Sequence, residues 1–131
     1  MRKFFVCTIA TLLVVTLTSA NKSNDEIMSL QDGMYVVNTT TLGKNIQGYV
    51  GSTPVKVYIK KNKVVKVEVL KNQETPKYVA KVKKSISNKW DGLKVKNAAR
   101  QQVDAVTGAT FTSQAIIKNV QLALEYYQEH K

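Results

Sequence analysis

The stretch Val55-Lys56-Val57-Tyr58-Ile59-Lys60-Lys61-Asn62-Lys63-Val64-Val65-Lys66-Val67-Glu68-Val69 decides the fold class. Val55, Val57 and Ile59 alternate with Lys56, Tyr58 and Lys60, so the three branched residues share one face of a strand. Val65, Val67 and Val69 alternate in the same way with Lys66 and Glu68, and Lys61-Asn62-Lys63 between the runs reads as a turn. Two period-two runs joined by a short polar turn predict an antiparallel hairpin.

Working outward from the hairpin towards the N-terminus, Asp32-Gly33 opens a run, Met34 to Val37, that reads as a first strand. Thr39 to Lys44 reads as a turn, and Gln47-Gly48-Tyr49-Val50-Gly51 is a short segment with two glycines and one aromatic. Asn21 to Gln31 is polar and mixed, and is expected to be a flexible leader. On the C-terminal side the period changes. Pro76 suits a first helical turn, and Val79, Val82, Ile86 and Trp90 then follow at spacings of 3, 4 and 4, as one helix face requires. Asp91-Gly92 is expected to end that helix. Leu93 and Val95 suit a short strand, and Ala98 to Gln102 a loop or helical turn. A second helix is expected from Thr112 or Ser113, with Ile116, Ile117, Val120, Ala123, Leu124 and Tyr127 as a broad apolar stripe. The prediction is one α+β domain over residues 32–128, a small antiparallel sheet packed with two helices.

Composition removes most side-chain catalysis. The 131 residues include one Cys and one His. One Cys excludes an intrachain disulfide framework and a CxxC zinc or redox site. His130 stands next to last, a poor place to build a triad. The chain is therefore expected to bind something, or to carry a cofactor that does the chemistry.

The N-terminal residues look like a targeting segment. Met1-Arg2-Lys3 is a short positive region, Phe4 to Leu17 is nearly all apolar or Thr, and Thr18-Ser19-Ala20 offers small residues for cleavage. Residues 1–20 thus read as a secretory signal, with an uncleaved anchor as the alternative. Cys7 lies inside the apolar run, which argues against a lipid anchor there. Export beyond the cytoplasmic membrane, to the periplasm or its equivalent, follows as the expected localisation.

Charge is strongly basic, with 20 Lys and Arg against nine Asp and Glu. Such a field attracts acidic partners, anionic lipid or nucleic acid. All but two of the basic residues are Lys, however, whereas Arg is the better reader of bases and phosphates. A solvated Lys face or a surface for an acidic partner fits better than nucleic-acid binding, which an exported chain has little occasion to use.

The most specific segment joins the elements: Asp104-Ala105-Val106-Thr107-Gly108-Ala109-Thr110-Phe111-Thr112-Ser113, directly before the long helix. A helix N-terminus has unpaired N–H groups and a partial positive charge, and both favour a phosphate. Gly108 lets the backbone approach closely, and Ala109 adds little bulk. An ordinary capped turn explains the same residues, with Thr112 or Ser113 as N-cap and Asp104 as turn-former. Both readings stand on the residues alone.

The run Asp104-Ala105-Val106-Thr107-Gly108-Ala109-Thr110 resembles the flavinylation motif of FMN-binding domains. These domains occur in the sodium-translocating NADH:quinone reductase, in the Rnf electron-transfer complex and in small exported flavoproteins. Gly48-Tyr49-Val50-Gly51, the two hairpin strands and Glu74-Thr75-Pro76 are similar to the same family in the same order. The resemblance spans about Asp32 to Leu124. It implies covalent FMN on Thr110 through a phosphoester, attached by a flavin transferase that uses FAD and a divalent cation. By position, Asp104 matches the motif's leading acid, Thr107, Gly108 and Ala109 match its core, and Thr112 and Ser113 follow it. Glu74, Thr75 and Pro76 match a flavin-facing loop that often reads Glu-Thr-Pro-Gly-Leu-Gly. Here Lys77-Tyr78-Val79 replaces the Gly-Leu-Gly half, so the family's ring contacts do not carry over. Tyr78 has two readings, a ring stacked on the isoalloxazine or a core residue.

The implied function is electron transfer by an exported flavoprotein, with the transferase and a redox partner, such as a membrane electron-transfer complex, as the proteins it meets. A domain that binds FMN without a bond and a non-redox basic binding module are the rivals.

Overall fold

The structure, a computed structural model, describes residues 27–131. The expected signal, Cys7 and most of the expected leader lie outside the described residues. Seven elements follow one another: β1 (Met28–Gln31), β2 (Met34–Asn38), β3 (Val55–Lys60), β4 (Lys63–Val69), α1 (Pro76–Ile86), α2 (Val95–Ala98) and α3 (Thr110–His130). The strands form one antiparallel sheet in sequential order, so the α+β expectation holds.

Two tight turns build the meander. Asp32-Gly33 and Lys61-Asn62 both have positive φ at each residue (52° and 80°; 53° and 63°). Paired left-handed residues match the twist of a two-residue hairpin. Lys61 is an unusual choice there, but Asn62 is well held: its Oδ1 accepts from Tyr127 Oη at 2.6 Å, and its carbonyl from Val95 N at 2.8 Å.

β1 is a correction to the leader, whose expected span ended at Gln31. Met28-Ser29-Leu30-Gln31 is too short a run to reveal a period. Asp32-Gly33 reads as the opening of a strand in the sequence, but here it is the turn joining β1 to β2.

The hairpin departs from strict alternation at one residue. Tyr58 pairs with Lys66 and Ile59 with Val64, so Val65 has no partner and forms a bulge. A bulge inserts one residue and switches the face of what precedes it. Val64 is therefore buried, and Val65, expected beside Val67, is 41% exposed.

The core lies between the inner sheet face and the helices. Val37, Val55, Val57, Ile59, Val64 and Val67 meet Val82 and Ile86 of α1 and Ile116, Val120, Ala123 and Leu124 of α3. Each fully buried aliphatic side chain contributes roughly 1.5–3 kcal/mol. Trp90 is fully buried as well, but not on a helix. α1 stops at Ile86, with Ser87 Oγ donating to Lys83 O at 2.6 Å. The chain then turns so that Gly92 N donates to Val64 O (2.7 Å) and Val64 N to Leu93 O (2.9 Å). These bonds to the sheet edge redirect the chain while Trp90 keeps its place in the core. Val95 opens the helical turn α2 instead of joining a strand, and only Lys94 bridges to Lys63.

α3 also begins earlier than expected, at Thr110. Its 21 residues run roughly 31 Å along the sheet, with the start at one end of the molecule and Tyr127 against the β3–β4 turn at the other.

Candidate functional site

The motif turn is set by its own backbone. Ala109 N donates to Val106 O at 2.9 Å, closing a four-residue turn over Val106–Ala109. Gly108 at its third position has φ +87°, which an L side chain adopts only with strain. Ser113 staples this turn to α3: its hydroxyl donates to Ala109 O (2.7 Å) and accepts from Val106 N (3.0 Å).

The expected caps are corrected here. The N-cap position of α3 is Ala109, and no side chain caps the helix. Thr112 and Ser113 lie inside the first turn, buried, with their hydroxyls engaged elsewhere. Asp104 is no turn-former either. It is exposed in the irregular segment before the turn, with no side-chain hydrogen bond among the described residues. The N–H groups of Thr110, Phe111 and Thr112 precede the first intrahelical bond, Ser113 N to Ala109 O at 2.9 Å. Among the described residues none of these three N–H groups has a hydrogen-bond acceptor, and they present the partial positive charge of a helix start.

A cleft of about 640 Å³ opens beside this helix start, walled by Tyr49, Thr75, Lys77, Tyr78 and residues Gly108–Thr112. Its size falls within the range of small-molecule sites. Thr110 is exposed on its rim, and Thr107 is exposed on the turn outside it. Lys81 adds a second ammonium near the first, with its Nζ 3.5 Å from where a Cβ on Gly108 would stand. Lys77 and Lys81 are one helical turn apart on α1, so both face the motif from the same side.

Glu74 organises the opposite wall. It is only 4% exposed. Its Oε1 accepts from Tyr49 N (2.7 Å) and Thr112 Oγ1 (2.5 Å), and its Oε2 from Val50 N (2.6 Å) and Gly51 N (2.8 Å). One carboxylate thereby ties the 48–51 loop to the first turn of α3. Burial alone would push its pKa up, but the Thr112 hydroxyl and the three N–H groups outweigh burial and hold it below the ordinary value. Gly48 is required by this contact, since a Cβ there would stand 2.6 Å from Glu74 Oε1.

Of the sequence-derived site residues, the fold brings Thr75, Gly108, Ala109, Thr110 and Thr112 to the cleft. Glu74 lies behind it as a strut, and Pro76 lines a second, smaller depression beside Val69 and Val79. Tyr78 is partly buried against the core and also lines the cleft. Sequence reasoning did not pick out Lys81 or Phe111 for the site, or give Tyr49 a role there. The i, i+4 spacing of Lys77 and Lys81 was the available signal for the basic pair.

The residues fit a flavin mononucleotide: an uncapped helix start and two Lys for a phosphate, a rim hydroxyl, and an aromatic-walled cleft for a planar ring. A family profile described as FMN-binding domain matches residues 48–125, more than half of the chain, from the Glu74-bound loop to the end of the α3 stripe. Comparison with curated proteins and with solved structures gave no match. The chain belongs to the FMN-binding domain family.

Proposed function

We propose that this domain carries its FMN covalently, as a phosphoester on Thr110, and serves as an exported electron-transfer carrier. The observation that carries the reading is the place of Thr110: an exposed hydroxyl on the first residue of α3, at an uncapped helix start, on the rim of the cleft. In the attachment step a flavin transferase directs the Thr110 hydroxyl onto the FMN phosphorus of FAD. The Thr110 oxygen–phosphorus bond forms, the pyrophosphate bond breaks, and AMP leaves while the hydroxyl proton is lost. The resulting phosphodiester would keep one negative charge, and the α3 N–H groups, Lys77 and Lys81 are the groups placed to stabilise it.

Bound flavin would supply one- and two-electron transfer. The protein's own part is positional. Thr110 tethers, the Val106–Ala109 turn fixes the tether point, and Glu74 holds the opposite wall. A covalent link also has a physical rationale outside the cytoplasm, where a dissociated cofactor is diluted away. The proposed partners are the transferase and a redox protein, such as a membrane electron-transfer complex.

Intact mass tests the reading. Protein made with an active transferase should gain the mass of one FMN less one water and keep its colour after acid precipitation. Thr110→Ala should gain nothing, while Thr107→Ala and Thr112→Ala should retain at least some flavin. An FMN adduct on Thr110→Ala would move the site. Colour lost on precipitation would favour FMN held without a bond, and no flavin at all would favour the basic binding module.

A further inference from the structure

Two large aromatic side chains at the cleft are left in water. Tyr49 is 68% exposed and Phe111 is 61% exposed. Their rings nevertheless lie nearly parallel, with centroids 6.3 Å apart and planes 24° from one another. The two rings come from segments far apart in the chain, and a single carboxylate ties those segments together: Glu74 accepts from the backbone N–H of Tyr49 and from the hydroxyl of Thr112, next to Phe111. The pair is thus held by a buried frame while its faces remain open. Two adjacent exposed aromatic rings at one cleft offer apolar surface on which a flat ligand can pack.

We infer that Tyr49 and Phe111 form the platform against which the isoalloxazine ring of the FMN packs; this rests on the reading of Thr110 as the tether. Both residues line the same cleft as Thr110, and Phe111 is the very next residue. A tethered planar group therefore has this surface within immediate reach, whereas a protein partner would have to compete with it. Aromatic faces bind a flat heterocycle by offset stacking and by removing apolar area from water. Tyr78 is the weaker platform. It packs partly into the core, and Lys77 Nζ sits 5.8 Å from its ring centroid, so a cation already faces it. The chain thus supplies ring contacts of its own where the Gly-Leu-Gly half of the loop is replaced.

The test uses full-length protein loaded by the transferase, with attachment established by intact mass before any optical measurement. A Tyr ring stacked on a flavin quenches its emission by electron transfer, with Phe111 acting by holding the ring against Tyr49, so the emission of the folded protein should be low and should rise on complete proteolysis. In Tyr49→Ala and in Phe111→Ala the folded emission should rise, the ratio of stacked to free ring falling roughly 2- to 10-fold for each truncation. Tyr58→Ala, on the outer face of the sheet, should behave as the unmutated protein. Both truncated side chains are mostly exposed, so far-UV dichroism should not change. Should Phe111→Ala hinder loading at the neighbouring Thr110, Tyr49→Ala carries the test alone. Full FMN mass with unchanged emission in the variants would overturn the platform and leave the tether standing. Absence of the FMN mass would overturn the tether itself, and the platform with it.

Discussion

Replacing Glu74 by Gln keeps the shape of the side chain and removes its charge, which tests whether one carboxylate holds the site together. Oε1 serves Tyr49 N and Thr112 Oγ1, and Oε2 serves Val50 N and Gly51 N. The amide's NH2 must replace one of these oxygens. Its better orientation is at Oε1, where the Thr112 hydroxyl can rotate to accept but Tyr49 N–H is left without a partner. Hydrogen bonds to charged groups contribute about 1.5–3 kcal/mol each and neutral ones about 0.5–1.5. One lost bond and three weakened ones, offset by the smaller cost of burying a neutral amide and by water at the exposed Tyr49–Val50 loop, come to about 3 kcal/mol. Urea unfolding followed by emission of the fully buried Trp90 should then show a midpoint lower by about 1.5 M, for a slope of about 2 kcal/mol per molar. The pH dependence has a definite sign. The Glu74 carboxyl is held below its ordinary value of 4.5, so its contribution is complete above that value and is lost as pH falls through the lower folded-state value. The gap between unmutated protein and Glu74→Gln should therefore be full at pH 7 and close under acid conditions. A midpoint unchanged at pH 7, or a gap that persists at low pH, would refute the strut.

Gly48→Ala should act through the same carboxylate, because the new Cβ would stand 2.6 Å from Oε1; we expect a loss of about 1–3 kcal/mol. Its effect and that of Glu74→Gln should be non-additive in a urea double-mutant cycle. Asp104→Ala removes an exposed side chain without a hydrogen bond, so stability should stay within about 0.5 kcal/mol. Incorporation of flavin should nonetheless drop if the transferase reads this acid, and normal loading by mass would show that it does not. Protein recovered from the cell envelope should begin at Asn21 on N-terminal sequencing; recovery of Met1 would favour an uncleaved anchor.

Local chemistry made most of the architecture legible. Alternating Val and Ile with Lys fixed the β3–β4 hairpin, the Pro76 start and the 3-4 spacing fixed α1, and the broad stripe from Ile116 to Tyr127 fixed most of α3. The run from Asp104 to Thr110 marked a candidate phosphate site beside the reading of a capped turn, because a Gly turn before a helix is a local feature. What a residue's neighbours in sequence do not determine came only from the fold. The bulge at Val65 depends on register with β3, β1 on pairing with β2, and the early end of α1 on hydrogen bonds between Gly92, Leu93 and β4. The start of α3 at Thr110 depends on Thr112 donating to Glu74, 38 residues away, and on Ser113 stapling the turn, so neither is free to cap. The pairing of Tyr49 with Phe111, and of Lys81 with Gly108, likewise joins segments that only packing brings together. Sequence thus determined which atoms were available for a flavin, since that is a matter of local composition and period. Tertiary structure decided which of them share one cleft, since that depends on buried hydrogen bonds between distant segments.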